Sequence, residues 1–316
     1  MAGVAYLFPG QGAQALGMGK AFYDGFAESR DIYKRANNRL GFDLTALCFE
    51  GPSEELTKTD KCQLAILVTS LAAFAAFRAR ISAALTPVAV AGLSLGELTA
   101  LAAADAIQFY DALYLVQVRA EAMAKCAAHQ KGGMLAMIGL SAEAIREICE
   151  QAGVIAANYN APDQVVLSGE QSAIEQAEAL AKAKGAKRAV RLDVDGAFHS
   201  PLMQPAAVAF SAALSKVDIR GPQVPLISNV TGEPTQDPEV IRELLIKQIV
   251  SPVRWESSMR RLAAMGVTHC LEFPPAKVLT ALLRRIDPTV KCIPIDEPED
   301  FEKLSFRESG IGVRES

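Results

Sequence analysis

The chain has 316 residues, half of them hydrophobic and 22% charged, a composition that builds a sizeable core and excludes disorder as the main state. Lys and Arg total 32 against 36 Asp and Glu, a formal net charge of −4, which excludes a nucleic-acid binder with a basic surface throughout but allows a local basic patch. The six cysteines, at positions 48, 62, 126, 149, 270 and 292, show no C-x-x-C or zinc-ribbon spacing, and read as reduced thiols of a cytoplasmic protein with no metal site.

The first expected strand is Val4–Phe8, ending in the loop Pro9-Gly10-Gln11-Gly12. The N-terminus lacks a basic segment and its apolar run stops at Pro9-Gly10, unlike a signal peptide. Helical patterns follow over 20–39 and 63–83. The longest apolar stretch, Leu64 to Phe77, has 14 residues, short for a bilayer span and suited to a buried helix. A second apolar strand, Val88–Ala91, runs into Gly92-Leu93-Ser94-Leu95-Gly96-Glu97 and then a helix to Ala104. A helix over 110–128 closes at Gly132-Gly133.

The pattern then becomes strand 134–138, helix 141–152, strands 154–157 and 164–167, helix 172–184 and strand 188–194, the order of a ferredoxin-like unit. Beyond it come a strand at 224–229, helices at 238–248 and 256–265, a strand at 269–273 and a helix at 276–286. These elements predict an α/β protein. A large α/β-hydrolase-like domain spans 1–130 and 198–316, with a small ferredoxin-like domain inserted at 131–197. Residues from about 307 to 316 read as a loose tail.

Gly92-x-Ser94-x-Gly96 between a strand and a helix is the spelling of a nucleophile elbow. Its tight turn needs glycines where a Cβ would clash, and it lifts the serine to the top of the sheet at the positive end of the next helix. The N–H of Leu95, in the first turn, is free to donate to an oxyanion. A serine nucleophile needs a base, and the chain has three histidines. His129 lies in a polar helix end and His269 in an apolar strand. His199 lies in the loop Asp195-Gly196-Ala197-Phe198-His199-Ser200 at the junction of the two expected domains, so by elimination it is the base.

On these motifs the chain resembles the malonyl-CoA:acyl-carrier-protein transacylases and the acyltransferases of polyketide synthases. The resemblance rests on the Phe8-Pro9-Gly10-Gln11-Gly12 loop, Gln63, the elbow with Glu97, Arg119 in Gln117-Val-Arg119-Ala-Glu-Ala-Met123, Asn158-Tyr-Asn160-Ala-Pro162, Ala197-Phe198-His199-Ser200, and Gln248 in Lys247-Gln248-Ile-Val-Ser-Pro252. It implies a malonyl group carried from malonyl-CoA on Ser94 to the phosphopantetheine thiol of an acyl carrier protein, with no bound cofactor. Gln11 and Leu95 would supply oxyanion amides. Arg119 would bind the malonyl carboxylate, and Gln63, Met123, Asn160 and Phe198 would line the acyl site. The Gln248 backbone carbonyl would orient His199, in place of a carboxylate such as the nearby Asp193 or Asp195.

Two positions depart from the family pattern. Leu93 replaces the usual histidine, a form that resembles the free-standing enzymes of polyketide assembly lines, and Phe273-Pro274-Pro275-Ala276 replaces a Gly-Pro-Gly. Service to fatty-acid synthesis, an acyl hydrolase of the same fold and a carrier-docking pseudoenzyme are the alternatives. Arg119 argues against a hydrolase of neutral acyl chains, and intact Ser94 and His199 against a pseudoenzyme. The acidic carrier is expected on a basic cluster, either Lys182, Lys184, Lys187 and Arg188 or Arg284-Arg285.

Overall fold

The computed structural model describes residues 3–81, 85–194, 196–307 and 310–313. The strands are β1 (Gly3–Phe8), β2 (Ala89–Gly92), β3 (Gly132–Ile138), β4 (Ile155–Ala161), β5 (Gln164–Glu170), β6 (Arg188–Arg191), β7 (Leu226–Ile227), β8 (Pro234–Thr235), β9 (Val267–Glu272), β10 (Lys291–Pro294), β11 (Leu304–Arg307) and β12 (Gly310–Val313). One sheet has the order β10-β9-β1-β2-β7-β8. Its β10, β9, β1, β2 and β7 are parallel, and only β8 runs against its neighbour. Helices cover both faces, so β1 and β2 are buried continuously rather than alternately, as parallel strands require.

A second sheet has the order β4-β5-β3-β6, every pair antiparallel. Helices Ala142–Ala152 and Gln171–Ala183 pack together on it around their own core of Leu135, Ile148, Leu167 and Ile174. Strand β4 also joins the larger half. The Tyr159 N–H donates to the Val253 carbonyl at 2.9 Å, and the Val253 N–H returns a bond to the Ala157 carbonyl at 2.8 Å.

Several elements differ from the sequence expectation. The helix expected over 20–39 breaks at Phe26, which is extended (φ −132°, ψ 131°) between helices Lys20–Gly25 and Ala27–Leu40. Gly25 is a poor helix former, and the break turns the Phe26 ring into the core beside Phe22 and Phe301. Helices Leu44–Glu50, Ser53–Thr57 and Gln204–Leu214 and strands β8 and β10 were not anticipated. Part of the expected loose tail is paired: β11 and β12 form an antiparallel ladder, while residues 308–309 and 314–316 lie outside the described residues.

Helix Thr59–Arg80 has 22 residues and begins four residues earlier than expected. By length and apolarity it meets the requirement for a membrane span, yet most of its apolar window is buried. It packs against helices Ala27–Leu40 and Phe109–His129. An apolar helix buried on all sides needs no amphipathic stripe.

An aromatic cluster ties this helix to the sheet. The Phe273 ring sits 5.1–5.6 Å from the rings of Tyr6, Phe8, Phe74 and Phe77. Phe273→Ala should therefore lower stability by about 3–5 kcal/mol through lost burial and a residual cavity. The midpoint of urea unfolding measures this, and an unchanged midpoint would contradict the packing.

Candidate active site

The elbow follows β2 at the carboxyl edge of the large sheet, where open α/β sheets place their ligands. Close approach dictates its glycines. A Cβ on Gly92 would lie 1.9 Å from the Gly96 carbonyl group, and one on Gly96 would lie 2.1 Å from the Phe8 carbonyl oxygen. Ser94 sits between them at φ 53°, a conformation costly for a residue with a side chain. The Asn229 side chain holds that geometry: its Oδ1 accepts the Ser94 N–H at 2.6 Å and its Nδ2 donates to the Gly92 carbonyl at 2.7 Å.

Ser94 Oγ lies 2.8 Å from His199 Nε2, and His199 Nδ1 lies 2.8 Å from the Gln248 carbonyl oxygen. A carbonyl can only accept, so Nδ1 carries the proton and Nε2 is left to accept from the serine. Burial and the neighbouring Arg119 charge lower His199 to about 4. The imidazole is therefore neutral near pH 7, the form a general base needs.

Arg119, on helix Phe109–His129, is 2% exposed. Its NH1 donates to Gln63 Oε1 at 2.5 Å, and its NH2 to Gln248 Oε1 at 2.9 Å and Ser94 Oγ at 3.0 Å. Burial brings it down to about 10 against the pull of Glu97, so it stays charged. Gln63 lies on the neighbouring helix Thr59–Arg80, and its amide also points at Met123 Sδ, 3.7 Å away. Met123 follows Arg119 by four residues and shares its helix face.

These groups surround a cleft lined by Gln11, Gln63, Leu93, Ser94, Arg119, Met123, Asn158, Asn160, Phe198 and His199, with Leu192 and Val194 at the small-sheet side. Asn160 is buried and its Oδ1 has no partner, an acceptor left free at the wall. Among the described residues the backbone N–H groups of Gln11 and Leu95 find no acceptor, as oxyanion donors should not. The sequence-predicted site residues thus converge, with Gln248 directly beneath the floor.

Two residues of the site had no role in the sequence reading. Glu97 is fully buried, accepting from Gln248 Nε2 at 2.6 Å and from the Asn229 N–H at 3.1 Å. Asn229 pins the elbow from the end of an expected strand. The one available signal was a single charged residue inside the mostly apolar Gly96–Ala103 helix.

Part of the expected basic charge is paired with acids. Lys182 pairs with Glu178 and Lys184 with Glu147, and Arg285 pairs with Asp163. Arg188 stands opposite Ile138, at the other end of β6 from Leu192, which at about 3.3 Å per residue is roughly 13 Å away. Asp195 lies outside the described residues, and Asp193 lines a neighbouring groove with Gln11 and Lys58. Among the described residues no cluster of three or more His, Cys, Asp or Glu could hold a metal ion.

Residues 5–291 match the acyl transferase domain family. The chain is 41% identical over 307 residues to a malonyl CoA-acyl carrier protein transacylase of Bacillus subtilis, covering 96% of both. It is 42% identical over 287 residues, 90% of this chain and 24% of the relative, to the polyketide biosynthesis protein ThaF of Burkholderia thailandensis. Among solved structures, an acyl-carrier-protein S-malonyltransferase from Bartonella henselae superposes with a TM-score of 0.92 at 40% identity, covering 95% of this chain and 97% of that one. A malonyl-transacylase in complex with its type II polyketide synthase acyl-carrier protein gives 0.92 at 36% identity, covering 96% and 98%. The chain belongs to the acyl transferase domain family.

The buried imidazole gives a direct test. An NMR titration of the histidine rings should find His199 protonating near pH 4. Protonation at the ordinary value near 6.5 would contradict its burial and the influence of the Arg119 charge.

Proposed function

We propose that this enzyme transfers a malonyl group from malonyl-CoA to the phosphopantetheine thiol of an acyl carrier protein through malonyl-Ser94. One observation carries the reading: a buried guanidinium reaches 3.0 Å from the Oγ of a serine that is bonded to a neutral histidine. A buried charge of this kind is costly unless a partner meets it. A ligand carboxylate can take two parallel hydrogen bonds from it, which an acetyl group cannot offer.

In the first half-reaction His199 Nε2 takes the Ser94 proton as Oγ attacks the thioester carbonyl. The Gln11 and Leu95 amides stabilise the oxyanion. The CoA thiolate leaves and takes the proton from His199. In the second half-reaction His199 takes the proton of the pantetheine thiol, whose sulfur attacks the malonyl ester; Ser94 Oγ leaves and takes that proton from His199, restoring the hydroxyl and the neutral imidazole. The Gln248 carbonyl keeps Nε2 aimed at the serine throughout. Phe198 and Met123 bound the acyl group, and Asn160 offers the ligand an acceptor. Leu93 and the likeness to ThaF support trans-acting service to a polyketide assembly line. Fatty-acid synthesis would use the same chemistry.

The same reading treats the molecule as two parts. Residues 1–130 and 198–316 form the α/β-hydrolase-like catalytic part, which the elbow after β2 supports. Residues 131–197 form a ferredoxin-like insertion, which the order β4-β5-β3-β6 and its two helices support.

Incubation with malonyl-CoA should add one malonyl group to the intact protein, located at Ser94 by peptide mapping. Ser94→Ala should remove the adduct, and its persistence would overturn the nucleophile. Arg119→Ala should lose malonyl loading while keeping acetyl loading, a cost of about 2–5 kcal/mol for a desolvated pair. An unchanged malonyl-to-acetyl preference would remove Arg119 from the acyl site.

A further inference from the structure

Glu97 lies one residue past the elbow, in the first turn of helix Gly96–Ala103, and is 1% exposed. It does not touch the cleft. Both oxygens are in use: Oε2 accepts from Gln248 Nε2 at 2.6 Å and Oε1 from the Asn229 N–H at 3.1 Å. The Gln248 amide and the Asn229 N–H can only donate to it and the Ser228 hydroxyl also bonds to it, which suits an ionised carboxylate, although burial pushes the group up to about 7.

These contacts decide which way the Gln248 amide faces. Its Nε2 points at Glu97 and at the Ser94 carbonyl, 2.8 Å away, so its Oε1 must point at Arg119. The backbone carbonyl of the same residue holds His199. Arg119 has no carboxylate in direct contact among the described residues, and the negative charge that acts on it is that of Glu97. The guanidinium, the amide and the carboxylate thus form one polarised chain.

We propose that Glu97 is the positioning residue of this site, setting through the Gln248 amide the pose and counter-charge of Arg119, and hence the preference for acyl groups that end in a carboxylate. The inference rests on the malonyl-transfer reading and extends it to a residue that touches no substrate.

A neutral isostere breaks the chain by geometry. In Glu97→Gln one acceptor becomes a donor and faces either Gln248 Nε2 or the Asn229 N–H. A flip of Gln248 to relieve the first conflict would turn Nε2 onto the Arg119 guanidinium, again donor against donor.

The test compares kcat/KM for malonyl-CoA and acetyl-CoA in self-loading of the full chain, read by intact mass, in wild type, Glu97→Gln, Arg119→Ala and the double variant. Glu97→Gln should reduce the malonyl-to-acetyl ratio about 10²-fold, the scale of a misplacement of order 1 Å. In the Arg119→Ala background it should change the ratio little, because the two act as one unit. A merely structural role would depress both substrates together, and that outcome, or a wild-type ratio, overturns the proposal. If Glu97→Gln does not fold, Glu97→Asp decides it: a reduced ratio in a folded variant supports the proposal, and a wild-type ratio overturns it. Absence of any adduct on the wild-type protein would sink the malonyl-transfer reading itself, an outcome distinct from these.

Discussion

The site is organised around a buried guanidinium that, among the described residues, has no carboxylate in direct contact. Arg119 is almost wholly buried, so acceptors are built around it, and each of them is tied to another part of the machinery. Gln63 comes from the long apolar helix, Gln248 from the end of helix Pro238–Gln248, and Ser94 from the elbow. The charge therefore fixes the relative position of three elements that are far apart in sequence. An arginine held this way has lost its rotamer freedom before any ligand arrives, so little ordering cost remains for binding.

Gln248 joins these demands. A carboxylate in its place could orient His199, as an acid does in a Ser-His-Asp triad, but it would also bring a second negative charge beside Glu97 and Arg119. A main-chain carbonyl orients the imidazole with no net charge. The side chain of the same residue is then free to relay between an acid and a base that do not touch. His199 stays neutral partly because it faces Arg119, so the group that would receive the substrate charge also holds the base in its working form.

Much of this was legible in the sequence because the chemistry is local. The elbow spelled itself through glycines that backbone contacts at about 2 Å require, and the choice of His199 followed from having only three histidines. The β-α-β-β-α-β order of the small sheet was visible in alternating apolar periods. What escaped depended on long-range contacts. Asn229 reads as an ordinary strand end until the fold sets its amide against Gly92 and Ser94, 137 and 135 residues away. The break at Phe26 comes from a ring seeking the core, a tertiary gain that overrides helical periodicity. Lys184 looks like part of a free basic patch until the fold brings Glu147 of helix Ala142–Ala152 against it, whereas the pairing of Lys182 with Glu178, one turn back on the same helix, was open to periodicity.

The two main-chain bonds between β4 and Val253 carry a mechanical consequence. Val253 lies five residues beyond Gln248, and Asn158 and Asn160 of β4 stand at the opposite wall of the cleft. The strap that stitches the small sheet to the large part therefore also sets the gauge of the acyl slot. The slot cannot widen at that wall without tearing the stitches, and any slackening there would travel along the same short segment to the carbonyl that aims the imidazole. Aperture and aim share a single ruler.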